Sequence, residues 1–302
     1  MPIHLPPLSR RQFLTGSLAA SAGLLLRSRG FGATPDIDPH AWTLISDPHI
    51  AADRAKLGRG INMAAQLTSV VEDVLRQPRR PAAAIINGDL AFNTGEAADY
   101  ATFLELVAPV RNAQIPLHLA LGNHDHRARF WAAVPAGDPA QRPLADRQVA
   151  VLRSERANWF MLDSLDKTNS TPGLLGESQL DWLARALDAH ASKPALVMTH
   201  HNPSLSPTKV NIIDEAALFA VLRPRRHVKA YFFGHSHRWT VEKDESGLHL
   251  INLPTTAYVF EQGRPAGWVV AQVQPKGIRL QLRCLDSNRA EHGQSVELGW
   301  RA

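Results

Sequence analysis

The sequence predicts a layered α/β fold in one domain with two facing sheets. Short apolar strands alternate with amphipathic helices from Asp36 to Gly234, and beyond Gly234 strands and turns continue without a helix. Strand–helix–strand repeats of this length favour parallel crossover units. The 302-residue chain is long enough to bury such a core, and its single cysteine, Cys284, excludes an internal disulfide and cysteine-rich metal sites.

The first 33 residues are predicted to be an export signal, and residues 34–302 the folded domain. Residues 9–14 read Ser-Arg-Arg-Gln-Phe-Leu and precede an apolar run, Thr15 to Leu26, that is too short to span a bilayer. The segment resembles a bacterial twin-arginine signal. We therefore expect the twin-arginine export machinery as a partner and a periplasmic or secreted location. No stable membrane anchor is expected after removal of the signal.

The charge balance argues against nucleic acid as a partner. The formal net charge is +5, but residues 1–33 contain four arginines and no acidic residue, so the remainder carries about +1. Proteins that bind nucleic-acid backbones usually do so through many lysine and arginine contacts. The nearly neutral domain therefore disfavours a nuclease.

The elements before Gly234 follow from the spacing of apolar residues. The predicted strands are Trp42–Ser46, Ala83–Asn87, Leu117–Leu121, Trp159–Leu162, Ala195–Thr199 and Lys229–Phe233. The predicted helices are Asn62–Arg76, Glu96–Val107, Ser178–Ala189 and Glu215–Leu222. The later strands are expected to pair antiparallel with the sheet. They are Thr240–Lys243, Leu248–Asn252, Trp268–Val273 and Arg279–Leu285.

Five polar clusters interrupt the apolar pattern, each directly after a predicted strand. They are Asp47-Pro48-His49, Gly88-Asp89, Gly122-Asn123-His124-Asp125, His200-His201 and Gly234-His235-Ser236-His237. Ligands of open α/β sheets bind beyond the carboxyl ends of the strands, so the clusters should converge on one rim. Carboxylates, imidazoles and an amide oxygen suit zinc, manganese or iron. His235 and His237 occupy alternate positions of an expected extended segment, so both rings should reach one centre.

In this order, the clusters resemble the motif series of the calcineurin-like metallophosphoesterases, over roughly Trp42 to Pro254. The resemblance implies a four-layer α-β-β-α sandwich of two mixed sheets flanked by helices. It also implies two metal ions, which we expect to be Mn, Fe or Zn. The implied ligands of the first ion are Asp47, His49, Asp89 and His237, and those of the second are the bridging Asp89 with Asn123, His200 and His235.

Two metal ions at such a site explain hydrolysis without a serine or cysteine nucleophile. A shared carboxylate and a bridging hydroxide would offset the repulsion between the ions, and metal-bound water can be acidified towards about pH 7. The resemblance thus implies hydrolysis of a small phosphoester, with a diester favoured over a monoester. Two alternatives are a non-catalytic binding protein on the same fold and a metal hydrolase of a non-phosphate substrate.

His124 is expected to act beside the metal ions rather than as a ligand. Next to Asn123, it could donate a proton to the leaving-group oxygen, with Asp125 as its orienting partner. The alternative is a histidine that only holds Asn123. In the fourth cluster His200 directly follows its strand and is favoured as the ligand, which leaves His201 as a substrate contact or a support.

Overall fold

The computed structural model describes residues 36–134, 142–204 and 211–302. Within these ranges two six-stranded sheets face each other, and helices cover their outer faces. The expected four-layer α-β-β-α arrangement is therefore confirmed. The predicted export signal lies outside the described residues. No helix in the described ranges is both long enough and apolar enough to cross a membrane.

Every strand and helix predicted above is present, with bounds that differ by up to five residues. The strands are β1 (Ile37–Ser46), β2 (Leu57–Gly58), β3 (Ile61–Asn62), β4 (Arg80–Asn87), β5 (Leu117–Ala120), β6 (Ala150–Leu152), β7 (Asn158–Met161), β8 (Ala195–Met198), β9 (Val228–Phe233), β10 (Thr240–Lys243), β11 (His249–Asn252), β12 (Gly267–Gln274), β13 (Gly277–Cys284) and β14 (Ser295–Gly299). The helices are α1 (Met63–Leu75), α2 (Ala97–Asn112), α3 (Arg127–Ala133), α4 (Glu177–Ala189) and α5 (Glu215–Leu222).

The two sheets are both mixed. The first has the order β14-β13-β12-β1-β4-β5, in which β1, β4 and β5 run parallel and β12 to β14 are antiparallel. The second has the order β10-β11-β9-β8-β7-β6, in which β7, β8 and β9 run parallel.

One predicted pairing was wrong. The strands after Gly234 were all expected to be antiparallel, but β11 runs parallel to β9, with Ile251 opposite Phe232. The reason lies in β10, which pairs antiparallel with β11 and runs back from the carboxyl end of β9. The tight turn from Asp244 to Gly247 then sends β11 in the direction of β9.

Alternation along the central strands creates the layers. In β1, Leu44 packs between the sheets whereas Ile45 faces the helices. In β8, Leu196 packs between the sheets and Val197 faces the helices. Successive side chains of a strand point to opposite faces, and strands covered on both faces are apolar on both. Helices α1 and α2 pack on the first sheet, and α4 and α5 on the second.

Candidate metal centre

The polar clusters that follow β1, β4, β5, β8 and β9 meet at one end of the sandwich, which confirms the predicted convergence. Three groups of side chains place a ligand atom of each member within 4.8 Å of the others. The groups are Asp47, His49 and His237; His49, Asp89 and His124; and Asp89, His200 and His235. Carboxylates and imidazoles from both sheets therefore form one continuous polar site.

Asp89 lies at the middle of this site. Its Oδ2 atom is 3.5 Å from His49 Nε2 and 3.3 Å from His200 Nε2. Its other oxygen, Oδ1, accepts a 2.8 Å hydrogen bond from the backbone N–H of His124. One carboxylate oxygen thus faces ligand atoms of two different groups, an arrangement that fits a carboxylate shared by two metal ions.

Three histidine rings are oriented by backbone carbonyls. Each ring donates its Nδ1–H: His49 to Phe92 at 3.3 Å, His200 to Asn87 at 3.0 Å, and His237 to Tyr258. Because a carbonyl only accepts, Nδ1 carries a proton in each ring, and Nε2 is the nitrogen that can bind a metal once it has no proton. The Nε2 atoms of His49 and His237 lie 3.1 Å apart. Two lone pairs this close repel each other unless a cation lies between them.

Two buried polar atoms of the site lack hydrogen-bond partners within the part of the chain that the structure describes, and this also fits a metal site. Among the described residues, neither Asn123 Oδ1 nor His200 Nε2 has a hydrogen-bond partner. Buried polar atoms in folded proteins are almost always partnered. An amide oxygen and an imidazole nitrogen are both ligands that Mn, Fe and Zn accept, so the residues present fit a bound metal.

The electrostatics of the site favour a cation. Burial alone would raise the pKa of Asp47, but the charges of His200 and His237 outweigh it and lower that pKa to about 2. Burial alone would lower the pKa of His200, but Asp89 and Asp47 raise it to about 10. Burial lowers the pKa of His49 to about 4. Burial alone would also raise the pKa of Asp89, but the charge of His200 holds it well below its usual range. Asp47 and Asp89 are therefore both ionised at neutral pH, and such a buried pair requires positive charge beside it.

The backbone of the site is repeatedly left-handed. Among the described non-glycine residues, eight have a positive φ, and five of these are predicted ligands. They are Asp47 (54°), His49 (49°), Asp89 (49°), His235 (64°) and His237 (53°). Such a conformation costs on the order of 1–3 kcal/mol per residue and clusters at functional sites.

The left-handed backbone corrects one expectation. His235 and His237 do not alternate along an extended segment, so their rings do not converge on one point. His235 lies with Asp89 and His200, whereas His237 lies with Asp47 and His49. The two histidines of this cluster therefore serve opposite sides of the site.

The motif glycines make room for the candidate ligands. A Cβ atom at each would collide with one of them: at Gly88 with the ring of His200 at 2.4 Å, at Gly122 with Asp89 Oδ1 at 2.2 Å, and at Gly234 with Asp47 Oδ2 at 2.6 Å. The turns can approach the ligands this closely only without a side chain. Glycine at these positions is thus part of the geometry of the site.

The predicted pairing of His124 with Asp125 was wrong. His124 Nδ1 donates instead to the carbonyl of Asn93 at 2.8 Å, and His124 lines the cavity above the site. The Asp125 carboxylate accepts hydrogen bonds from four other groups, the N–H groups of Leu90, Ala91 and Gly122 and the hydroxyl of Tyr100. Three converging amides outcompete one imidazole, so Asp125 braces the turn that carries Asn123 and His124.

His200, rather than His201, contributes to the site. His201 Nδ1 is bonded to Ser164 Oγ at 2.8 Å, and its ring lies 5.3 Å from that of His200 and 4.8 Å from that of His235. His200 belongs to one of the three ligand groups described above, whereas His201 belongs to none of those three. Its position is that of a support for the two neighbouring rings.

The site opens into a cavity of about 670 Å³ with two chemically distinct sets of lining residues. One set carries amides and hydroxyls and consists of Asn169, Ser170, Thr171, Asn202 and Asn211. The other carries charged and aromatic groups and consists of Arg59, Arg238, Phe260 and Glu261. Asn202 and Arg238 directly follow recognised motifs. The others stand on loops and a short hairpin, where neither periodicity nor a motif marks them.

Backbone contacts attach the amide-rich loop to the site. The N–H of Asn169 donates to the carbonyl of Asn123 at 2.5 Å, and Thr168 Oγ1 donates to the carbonyl of Asp125 at 2.8 Å. The loop begins at the buried Asp163, whose carboxylate accepts two hydrogen bonds from Arg127. The position of Asn123 and the shape of the cavity are therefore coupled.

Comparisons with known proteins agree with this geometry. The family model of the calcineurin-like phosphoesterases matches residues 42–239. The chain is 30% identical over 257 residues to the 3′,5′-cyclic adenosine monophosphate phosphodiesterase CpdA of Pseudomonas aeruginosa, covering 83% of this chain and 88% of that one. It is 32% identical over 203 residues to a cAMP/cGMP dual specificity phosphodiesterase of Mycobacterium tuberculosis, covering 64% and 60%. Its fold is similar to a dimetal phosphatase from Danio rerio, with a TM-score of 0.66, 16% identity and coverage of 87% and 100%.

Proposed function

The chain belongs to the calcineurin-like phosphoesterases and is a metal-dependent phosphoesterase, and we propose that it hydrolyses a cyclic nucleotide phosphodiester. The observation that carries the proposal is the position of Asp89, one oxygen of which faces ligand atoms of two buried groups. The names of the two phosphodiesterase relatives support the substrate class. The cavity volume of about 670 Å³ suits a ligand the size of a nucleotide.

The ligand sets that the family resemblance implies are part of the proposal, and the geometry supports them. The first ion would be held by Asp47, His49, Asp89 and His237, and the second by Asp89, Asn123, His200 and His235. When bound, two such ions neutralise phosphoryl charge and supply a water nucleophile near neutral pH. The nitrogen and oxygen donors support Mn, Fe or Zn as the metals.

His124 would then serve the leaving group. Its Nδ1–H is held by the Asn93 carbonyl, so Nε2 is the nitrogen left to act on a substrate. The protonated ring would donate Nε2–H to the departing oxygen as the P–O bond breaks. The neutral ring that remains keeps its Nδ1–H on Asn93, so the proton transfer requires no rotation of the side chain.

A substrate panel on manganese-loaded protein tests this function. The panel contains 3′,5′-cyclic AMP, the base-free diester glycerophosphocholine and the monoester 5′-AMP. We expect the highest kcat/KM for 3′,5′-cyclic AMP and loss of all activity with a chelator. Phosphate release from the monoester alone would contradict the diester assignment, and chelator-insensitive hydrolysis would contradict the metal requirement.

Export is a second proposal, and it rests on the sequence alone. The match to a twin-arginine signal at residues 9–14 supports recognition by the twin-arginine machinery and a periplasmic or secreted enzyme. That route carries folded proteins, so the metal ions would bind before export.

A further inference from the structure

A tight hairpin holds Arg59 at the mouth of the cavity. Strands β2 and β3 pair antiparallel, and the two residues between them, Arg59 and Gly60, both have positive φ, 49° and 81°. This geometry matches the twist of a two-residue β-hairpin. A Cβ atom on Gly58 would lie 2.8 Å from the ring of Tyr258, so the hairpin packs directly against that ring. The backbone of Arg59 is therefore fixed beside the candidate metal centre.

The Arg59 guanidinium lies over aromatic rings. Its Cζ atom is 5.0 Å from the ring centre of Phe260 and 5.6 Å from that of Tyr258. Within the described part of the chain, the ion pairs at this rim join Arg238 and Arg264 to Glu261 and do not include Arg59. The guanidinium is thus free to face a ligand in the cavity that it lines.

Phe260 presents an aromatic surface next to a candidate metal ligand. Its ring stacks on that of His237, with centroids 4.2 Å apart and planes at 17°. The side chain is nevertheless 50% exposed and lines the cavity. An exposed aromatic ring with an arginine over it is a surface on which nucleobases stack.

We propose that Arg59 and Phe260 bind the nucleobase of the substrate while the site around Asp89 holds its phosphate. The inference rests on the proposed function and assigns the residues that would bind the base of its cyclic nucleotide substrate. The base would occupy the place over Phe260 that the guanidinium now holds, and the long Arg59 side chain would cover its outer face. Because Phe260 touches His237, base and phosphate would be only a ribose apart, as in a mononucleotide.

Equilibrium binding isolates the contribution of the base. The probes are 5′-AMP and ribose 5-phosphate, which share the phosphate and differ by the base, and calorimetry gives both Kd values for manganese-loaded protein. Base stacking predicts that 5′-AMP binds roughly 5- to 150-fold more tightly. In Phe260→Ala and in Arg59→Gln this ratio should fall towards one, while the Kd of ribose 5-phosphate changes little. Leu57→Ala, on the same hairpin but 55% exposed and outside the cavity lining, is the matched control and should keep the ratio.

The outcomes separate base binding from support of the metal site. An unchanged ratio in both variants overturns the inference. An equal weakening of both probes in Phe260→Ala assigns that ring to support of His237, and overturns its role in base binding. Wild-type protein that hydrolyses 3′,5′-cyclic AMP but shows no preference for 5′-AMP refutes the inference and leaves the proposed function standing. Absence of cyclic nucleotide hydrolysis refutes the proposed function, whatever the binding ratio.

Discussion

At the scale of single residues, the chemistry of the site depends on side chains whose orientation is set by backbone groups. The rings of His49, His200 and His237 each donate a hydrogen bond to a backbone carbonyl. Asp89 accepts one from a backbone N–H of the neighbouring turn. Such outer contacts fix which atom of each ligand faces the metal. The consequences of changing one residue can therefore be stated separately for metal binding and for catalysis.

The Asp89→Asn variant tests the shared carboxylate. The amide has the same shape, but it carries no charge to offset two dications and its oxygen is a weak bridge. We expect loss of at least one metal ion, a rate lower by several orders of magnitude, and an unchanged circular dichroism spectrum. Elemental analysis measures the metal content. Two tightly bound ions per chain in the variant would contradict the bridging role.

The His124→Ala variant tests leaving-group assistance. We expect it to keep both metal ions, because His124 belongs to neither of the two proposed ligand sets. General acid catalysis contributes typically about 10²–10⁴-fold, and the loss should approach this on alkyl diesters. It should be much smaller on nitrophenyl esters, whose leaving group departs without a proton. Similar losses on both substrates together with a missing ion would instead show that His124 only holds Asn123.

Some residue contacts were predictable and others were not. Asp47, Asp89 and His200 interrupt apolar strands directly at their ends, and this placement alone brings them together. The partner of Asp125 was not predictable from its neighbour His124. Its carboxylate accepts hydrogen bonds from the backbone N–H groups of Leu90 and Ala91, about 35 residues upstream. A backbone donor cannot be recognised from the sequence, because every residue except proline has one.

At the scale of elements, the turns after the strands set how closely the ligands approach. The Gly122→Ala variant tests this point without a conformational penalty from φ, since only steric contact with Asp89 changes. We expect weaker metal binding and a free energy of unfolding lowered by about 1–3 kcal/mol. Chemical denaturation and metal titration measure the two effects.

The control for that variant is Gly299→Ala, since nothing lies within 4 Å of a Cβ atom at Gly299. We expect its free energy of unfolding to stay within about 0.5 kcal/mol of the wild-type value, with full metal content. If Gly299→Ala lost metal as Gly122→Ala does, the loss would reflect general destabilisation rather than the contact with Asp89.

Elements that the sequence did not predict, or predicted with the wrong direction, have separate physical causes. The β2–β3 hairpin has only two residues in each strand, which is too short to show an alternation of apolar and polar residues. It nevertheless positions Arg59 at the cavity. In the edge strand β14 only Leu298 of the five residues is buried, so no buried apolar run marks it. Strand β11 was found in the sequence but misoriented, because direction depends on the path of β10 rather than on local pattern.

At the scale of the whole molecule, the order of layers was implied by the family resemblance, and the apolar central strands fit it because they are covered on both faces. Leu44 and Ile45, adjacent in β1, belong to different apolar layers, and the sequence shows both as hydrophobic. The cavity was not predictable, because its lining combines loops that are distant in sequence, such as those carrying Arg59, Asn169 and Phe260.

Export of the whole chain depends on the paired arginines. Replacing Arg10 and Arg11 with lysine keeps the charge but removes the guanidinium pair that the twin-arginine receptor reads. We expect the double variant to remain in the cytoplasm, with its phosphoesterase activity intact in the lysate. Fractionation of cells followed by immunoblotting measures the distribution. Equal recovery of wild type and variant from the periplasm would refute the proposed route.

The central claim is that two metal ions sharing Asp89 are required to hydrolyse a cyclic nucleotide diester. Its most direct test is the rate of 3′,5′-cyclic AMP hydrolysis by metal-stripped protein as manganese is added in known equivalents. We predict that the rate rises until two equivalents per chain are bound and is constant thereafter. Full activity at a single equivalent, or hydrolysis by the metal-stripped protein, would contradict the account.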